Sequence, residues 1–467
     1  MATREARPVR SPADYADGGI IAPVPDEIDA RDLEVIGSIP PELDGRYLRN
    51  GPNPLPGDRA GHWFVGRGML HGVRIAGGRA QWYRNRWVDT DPASDDPTAA
   101  PMLDANGRDL RRNAANTHVI EHGGSLLVLC EGGVPYRVTP ELGTVGAFDF
   151  SGRLRTAMTA HPKTDPSTGE LYFYGYSATS PYLTFHVADA AGNLIASTPV
   201  DVPGPTMMHD FAITEHYVVW LDLPVVFRPG PRAGMPFVWD ESYGARIGIM
   251  SRRAGRGGSA AVRWVDVDPC YVFHVGNARE DDHGRVILDA VRYGAEAFTA
   301  AWGAIGGSVR SSGGHGSLVA DAGLTSVLHR WVIHPTTGAF DEEQLDDREI
   351  EFPSINEQRV GRSNRFLYAV SGSRNGGLIK YDTAAGSATV LDFDTRQHIG
   401  EAVFVPAVAA SNEDDGWLIS IVTPIAGSRS ELHVMDATDV GAGPVARVLL
   451  PRRVPAGFHG SWIPERG

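Results

Sequence analysis

The chain has 467 residues, with 43 Lys or Arg against 57 Asp or Glu and a formal net charge of −14. No basic run or tail is present, which argues against nucleic acid and against anionic lipid headgroups as partners. Apolar residues make up 42% and aromatics 9%, too much for a disordered chain, and two cysteines, Cys130 and Cys270, are too few for a disulfide scaffold or a cysteine-rich zinc motif.

Residues 1–10 carry Arg4, Arg7 and Arg10 with no apolar stretch behind them, so they do not read as a secretory signal. Together with the scarce cysteines this predicts a reducing compartment and a soluble, cytoplasmic protein. The longest apolar runs, 217–221 and 402–410, fall far short of the ~20 residues of a spanning helix.

Short segments rich in Val, Ile, Tyr, Phe and Trp recur along the chain and predict strands at 125–130, 170–176, 217–223, 285–290, 367–371 and 418–423. Turn signals separate them, among them Asp165-Pro166-Ser167-Thr168-Gly169, Ala191-Gly192-Asn193 and His334-Pro335-Thr336-Thr337-Gly338. Helical periodicity is confined to 295–303 and a turn or two near 28–32, which disfavours an alternating βαβ sheet. An all-β chain of this length must dispose of its sheet edges, and one large propeller is the economical solution. No Gly/Ser-rich linker divides the chain, so residues 1–467 are expected to form a single propeller domain. The irregular stretches near 92–116, 224–244 and 295–316 read as cap insertions over one face. No fixed repeat of ~40–50 residues marks the blades.

Four of the 16 histidines close apolar or small-residue stretches: Thr159-Ala160-His161-Pro162, Met207-Met208-His209-Asp210, Val272-Phe273-His274-Val275 and Gly457-Phe458-His459-Gly460. Such contexts point inward. They lie too far apart in sequence to share a helix turn, and a propeller axis is where they could meet as an all-nitrogen site for iron, copper or zinc. For each one alone, a hydrogen-bonded core histidine is the commoner fate. The other histidines sit beside charge, in turns or without apolar flanks, and are expected to be structural.

The chain resembles the carotenoid cleavage oxygenases. The likeness runs through Arg46-Tyr47-Leu48-Arg49-Asn50-Gly51-Pro52-Asn53-Pro54, Gly68-Met69-Leu70-His71-Gly72, Thr159-Ala160-His161-Pro162-Lys163, Met208-His209-Asp210-Phe211, Phe273-His274-Val275-Gly276-Asn277-Ala278 and Phe458-His459-Gly460. The resemblance implies a seven-bladed β-propeller with a loop and helical cap over one face. It also implies one Fe(2+) held by His161, His209, His274 and His459. Carboxylates behind the histidines are implied at Glu131, Glu351 and Glu401, where they would offset the metal's charge and fix each imidazole. Glu141, Glu170 and Glu357 are expected as solvated surface charges.

The reaction so implied is dioxygenase cleavage of a conjugated C=C bond in a carotenoid or apocarotenoid with O2, giving two carbonyl products. The partners are then a hydrophobic alkene and O2, with no protein partner implied. Phe227, Phe237, Trp239, Phe298 and Trp302, in the cap insertions, are candidates for an apolar substrate tunnel. Apolar residues at its entrance would also allow a transient membrane contact for substrate uptake.

Two stretches depart from the family pattern. His62-Trp63-Phe64-Val65-Gly66-Arg67 stands where many members carry acidic residues, and the iron site is not expected to depend on it. Members that cleave phenolic stilbenes use a Tyr and a Lys on the phenol. Here Cys130 stands at the expected Lys and no Tyr lies between Tyr83 and Tyr136, which weakens the stilbene or phenylpropanoid alternative. The remaining rival is a catalytically silent propeller that serves as a binding platform. A hydrolase is disfavoured by the lack of a Gly-x-Ser-x-Gly elbow.

Overall fold

The computed structural model describes residues 20–465 apart from 59–61, 92–100, 105, 229–234, 254–260, 305–325, 373–375, 395 and 426. The strands form seven antiparallel blades around one axis. Each predicted strand is present with bounds moved by a few residues, for example Leu171–Tyr176, Tyr217–Asp222 and Gly416–Pro424. Turn chemistry sets these bounds: Asp165 Oδ1 accepts the Ser167 amide at 2.9 Å, and Gly169, at φ +69°, turns the chain into the next strand.

The strand order closes the ring. In blade 1 the C-terminal strand Gly460–Pro464 is innermost, followed outward by Gly45–Pro52, Gly68–Ala76, Arg79–Trp87 and Asp29–Arg31. In blade 7 the strand Val35–Gly37, from near the other end of the chain, pairs with Pro444–Leu449 at the outer edge. The inner strands of blades 2 to 6 begin at His118, Lys163, Ala212, Tyr271 and Ile350. Blade 7 starts with two short pieces, Gln397–Ile399 and Val403–Pro406, on the same neighbour.

Middle strands such as Leu171–Tyr176 and Leu183–Ala188 are buried on both faces because each blade is sandwiched between two others. Outer strands alternate, and Phe340–Gln344 is exposed throughout. The hydrophobic clusters therefore lie between blades. One joins Tyr172, Tyr174 and Phe185 of blade 3 to Val218 and Trp220 of blade 4, and another joins Tyr47 and Val73 of blade 1 to Ile419 and Val434 of blade 7. The axis is left to polar side chains, among them the Lys163–Asp210 ion pair at 2.8 Å.

The helix expected near 28–32 is instead the strand Asp29–Arg31, because its backbone finds partners along Trp82–Arg84 at the edge of blade 1. Of the insertions, 92–116 is described at 101–104 and 106–116, as irregular chain. The second supplies the hairpin Val225–Phe227 with Phe237–Trp239, and the third the helix Ala295–Ala304, beyond which 305–316 lies outside the described residues. No helix among the described residues is long and apolar enough to cross a membrane.

Candidate metal centre

Every blade sends one side chain to a single place on the axis. His161, His209 and His459 each stand just before the inner strand of their blades, 3, 4 and 1, and His274 lies within that of blade 5. Glu131 follows the second strand of blade 2, Glu351 lies on the inner strand of blade 6, and Glu401 joins the two inner pieces of blade 7. The pairing register shifts at His274, between Val272 and Val275, and again between Glu351 and Ser354. Such bulges re-aim a side chain out of the regular ladder. Phe352, in the second bulge, takes φ +50°, which costs a non-glycine residue ~1–2 kcal/mol. Its ring stacks on His274 with centroids 5.1 Å apart, and its amide donates to Glu351 Oε2 at 2.7 Å.

The four imidazoles meet. One nitrogen from each of His161, His209 and His274 lies within 4.8 Å of the others. The His459 ring centroid is 4.6 Å from that of His161 and 4.9 Å from that of His274. Three of the rings are held from behind: His209 Nδ1 pairs with Glu131 Oε1, His274 Nδ1 with Glu351 Oε2 at 2.5 Å, and His459 Nδ1 with Glu401 Oε1 at 3.1 Å. With Nδ1 donating to a carboxylate, Nε2 is left as a bare lone pair facing the centre. Among the described residues no carboxylate pairs with His161. Burial, with its three histidine neighbours, holds that imidazole well below its usual pKa and keeps it neutral.

This donor set fits a first-row metal ion. His161 Nε2 and His209 Nε2 are 3.0 Å apart. Two nitrogens bound at right angles ~2.1 Å from one ion are separated by about this distance. Four neutral imidazoles bring no charge, and Glu131, Glu351 and Glu401 supply it one bond away. Burial alone would raise the Glu351 and Glu401 carboxyls. The lowering contacts together outweigh it, those of His274, the Tyr293 hydroxyl and the Phe352 amide at Glu351 and those of His459, His118 and the Gly460 amide at Glu401, and both stay below the usual carboxylate range.

A cavity of about 950 Å³ opens onto His209, His274 and His459. Its inner wall is largely aromatic, with Phe64, Phe227, Phe237, Phe273, Phe352 and Phe458. Phe227 and Phe237 thus stand where the tunnel was expected. Trp239, Phe298 and Trp302 instead back the wall: Phe298 stacks against Phe273 at 5.8 Å and against Trp302 at 5.7 Å, and Trp239 packs on Phe298 at 5.6 Å. The helix turns Phe298 and Trp302, four residues apart, onto the protein beneath, and only its Ala301 reaches the cavity.

Three neighbours of the site had no distinctive sequence signal. Tyr176 donates its hydroxyl to Glu131 Oε2 at 2.7 Å, and Tyr293 donates to Glu351 Oε1 at 2.6 Å. His118, on the inner strand of blade 2, packs against His459 with centroids 5.1 Å apart and contacts the Ala160 carbonyl at 3.0 Å and Ser461 Oγ at 3.2 Å. Burial lowers its pKa to about 4. Of the glutamates expected at the surface, Glu141 is exposed, whereas Glu170 is half-buried and accepts from the Tyr172 hydroxyl at 2.7 Å. Glu357 is exposed, yet enough protein surrounds it, Glu401 included, to raise its carboxyl.

The family model described as RPE65, retinal pigment epithelial membrane protein, matches residues 21–464. A carotenoid cleavage oxygenase of Mycobacterium tuberculosis is 38% identical, with 99% of this chain and 100% of that protein aligned. An apocarotenoid-15,15'-oxygenase of Synechocystis is 32% identical over 89% of each chain. Among solved structures, cobalt-substituted Synechocystis ACO superposes with a TM-score of 0.80 at 29% identity, covering 98% of this chain and 100% of that one. Pseudomonas brassicacearum lignostilbene dioxygenase superposes with a TM-score of 0.83 at 26% identity, with the same coverage. With a family model spanning nearly all of its length and relatives of this similarity, the chain belongs to the carotenoid cleavage oxygenase family.

Proposed function

We propose that this protein is a non-haem Fe(II) dioxygenase that cleaves one conjugated C=C bond of a carotenoid or apocarotenoid with O2, giving two carbonyl products. The ligands are His161, His209, His274 and His459, supported by Glu131, Glu351 and Glu401. The observation that carries this reading is the meeting of four imidazoles, three of them backed by carboxylates, at the floor of a largely aromatic cavity. The names of the curated relatives point to the same substrate class.

Iron held by His161, His209, His274 and His459 would supply O2 activation beside the alkene. The protein's own part is positioning. Glu131, Glu351 and Glu401 hold three imidazoles with Nε2 inward and unprotonated. Phe227, Phe237, Phe273 and Phe458 bind an apolar chain without offering a proton, and they exclude water from the cleavage site. No acid or base is required of them, because both oxygen atoms enter the products as carbonyls.

The test is metal analysis of anaerobically purified protein, followed by an O2-dependent assay on an apocarotenal. About one iron per chain and two carbonyl products are expected. Iron-free protein that takes up no iron on reconstitution would favour the silent propeller. The likeness to lignostilbene dioxygenase gives a second reading, a stilbene or phenylpropanoid alkene as substrate. Cleavage of a hydroxystilbene but of no apocarotenal would establish it. Against it, the residue before Glu131 in the cavity wall is Cys130 rather than a lysine, and burial raises its thiol, keeping it neutral.

A further inference from the structure

The cavity lining is not wholly apolar. Besides the aromatic residues its lining includes Arg67, Arg108 and Arg112, together with the two carboxylates Asp58 and Asp91. Arg108 is paired with Asp104 at 3.2 Å yet keeps half of its side chain exposed, and Arg67 stands 3.9 Å from Asp89. Arg112 is exposed and has no side-chain hydrogen bond or ion pair among the described residues. The Arg108 guanidinium lies near the end of the second strand of blade 2. Arg108 Nη1 is 3.9 Å from the point where a Cβ on Gly132 would stand, and Gly132 directly follows Glu131.

We propose that Arg108 and Arg112 form a receiving site for an anionic oxygen terminus, so that the preferred substrate is a conjugated alkene with an apolar body and a carboxylate at one end. The inference rests on the alkene-cleavage reading and narrows its substrate class. A carboxylate approaching a chain of net charge −14 is repelled at long range and binds only where guanidiniums meet it locally. Arg108 and Arg112 offer planar, always-charged donors suited to two-point contact with a carboxylate, in the same cavity as an aromatic wall suited to a polyene. A neutral alcohol or aldehyde of the same length would gain a hydrogen bond there but no charge pairing.

The experiment compares a polyene carboxylate with the alcohol of equal chain length on iron-loaded protein. Binding is read anaerobically by quenching of tryptophan fluorescence, and cleavage is read aerobically. The acid is expected to bind about tenfold more tightly than the alcohol, with the advantage shrinking as salt rises. Arg112→Ala should reduce that ratio, and Arg108→Ala with Arg112→Ala should bring it to about one. Both side chains are substantially exposed, and an unchanged Tm would verify folding. Equal binding of acid and alcohol to the unmodified protein, with both cleaved, overturns the arginine site and leaves alkene cleavage standing. Binding and cleavage of neither overturns the alkene-cleavage reading and this proposal with it.

Discussion

The Tyr176 hydroxyl occupies the one oxygen of Glu131 that His209 leaves free, donating to Oε2 at 2.7 Å while His209 Nδ1 meets Oε1. Tyr293 does the same for Glu351 and His274, and the Gly460 amide does it for Glu401 at 2.8 Å. Each carboxylate is thus held at both ends and cannot rotate away from its imidazole. Burial, with the carboxylate alongside, keeps both phenols far above their ordinary pKa, so they remain donors.

Tyr176→Phe and Tyr293→Phe remove one hydrogen bond of ~1 kcal/mol each and leave the packing intact. Iron affinity is expected to fall about fivefold in each, measured by competition with a chelator, while Tm in the absence of metal barely moves. An unchanged iron affinity would show that the carboxylates are fixed without the phenols.

Glu351→Gln keeps an acceptor for His274 Nδ1 but removes a buried charge. Iron affinity and turnover should drop ~10-fold or more without being abolished, and Glu351→Ala should do worse. His209→Ala removes a nitrogen donor outright and should leave substoichiometric iron in a folded propeller, checked by metal analysis alongside circular dichroism.

The four histidines were legible because each ends a stretch of apolar or small residues, and such stretches on inner strands point to the axis. Glu131, Glu351 and Glu401 carry no such mark, and only the family likeness singled them out. Tyr176 and Tyr293 read as ordinary strand aromatics, since hydroxyl contacts across blades leave no local pattern. The cap helix shows the limit on side-chain direction: Phe298 and Trp302 are as apolar as Phe227, and composition does not say which face meets the cavity. Blade number was hidden for a related reason. The strand Gly460–Pro464 completes blade 1 beside Gly45–Pro52, a pairing across almost the whole chain that no window of sequence contains.

Gly68, at the start of the Gly-Met-Leu-His-Gly stretch, is required by contact. A Cβ there would lie 1.9 Å from the Ala115 carbonyl oxygen, which is backbone and cannot rotate aside. Gly68→Ala should therefore separate blade 1 from the chain entering blade 2 and cost ~1–3 kcal/mol. Gly77→Ala, where nothing lies within 4 Å but φ is +55°, serves as the comparison and should cost ~1 kcal/mol. Denaturant midpoints of the two variants decide whether close approach dominates over backbone strain.

Stability should fall steeply in mild acid because several histidines are buried in neutral form, among them His62 and His186. Burial lowers His62 to about 4 and His186 to about 3, and both are about 1% exposed. His62 packs between Phe64 and Trp302, while His186 is bonded to Ser197 Oγ and Thr156 Oγ1 with Phe173 stacked on it. In the unfolded chain each titrates near 6.5. Because the folded pKa values are depressed, protons bind the unfolded state first, and stability present above about 6.5 is lost as pH falls toward 4. Between pH 7 and 5 each histidine should contribute ~2 kcal/mol of destabilisation. Urea unfolding at the two pH values should show a loss of at least ~4 kcal/mol, and His186→Asn should reduce that loss by ~2 kcal/mol. A stability that is flat between pH 7 and 5 would mean that both rings reach water and protonate in the folded protein.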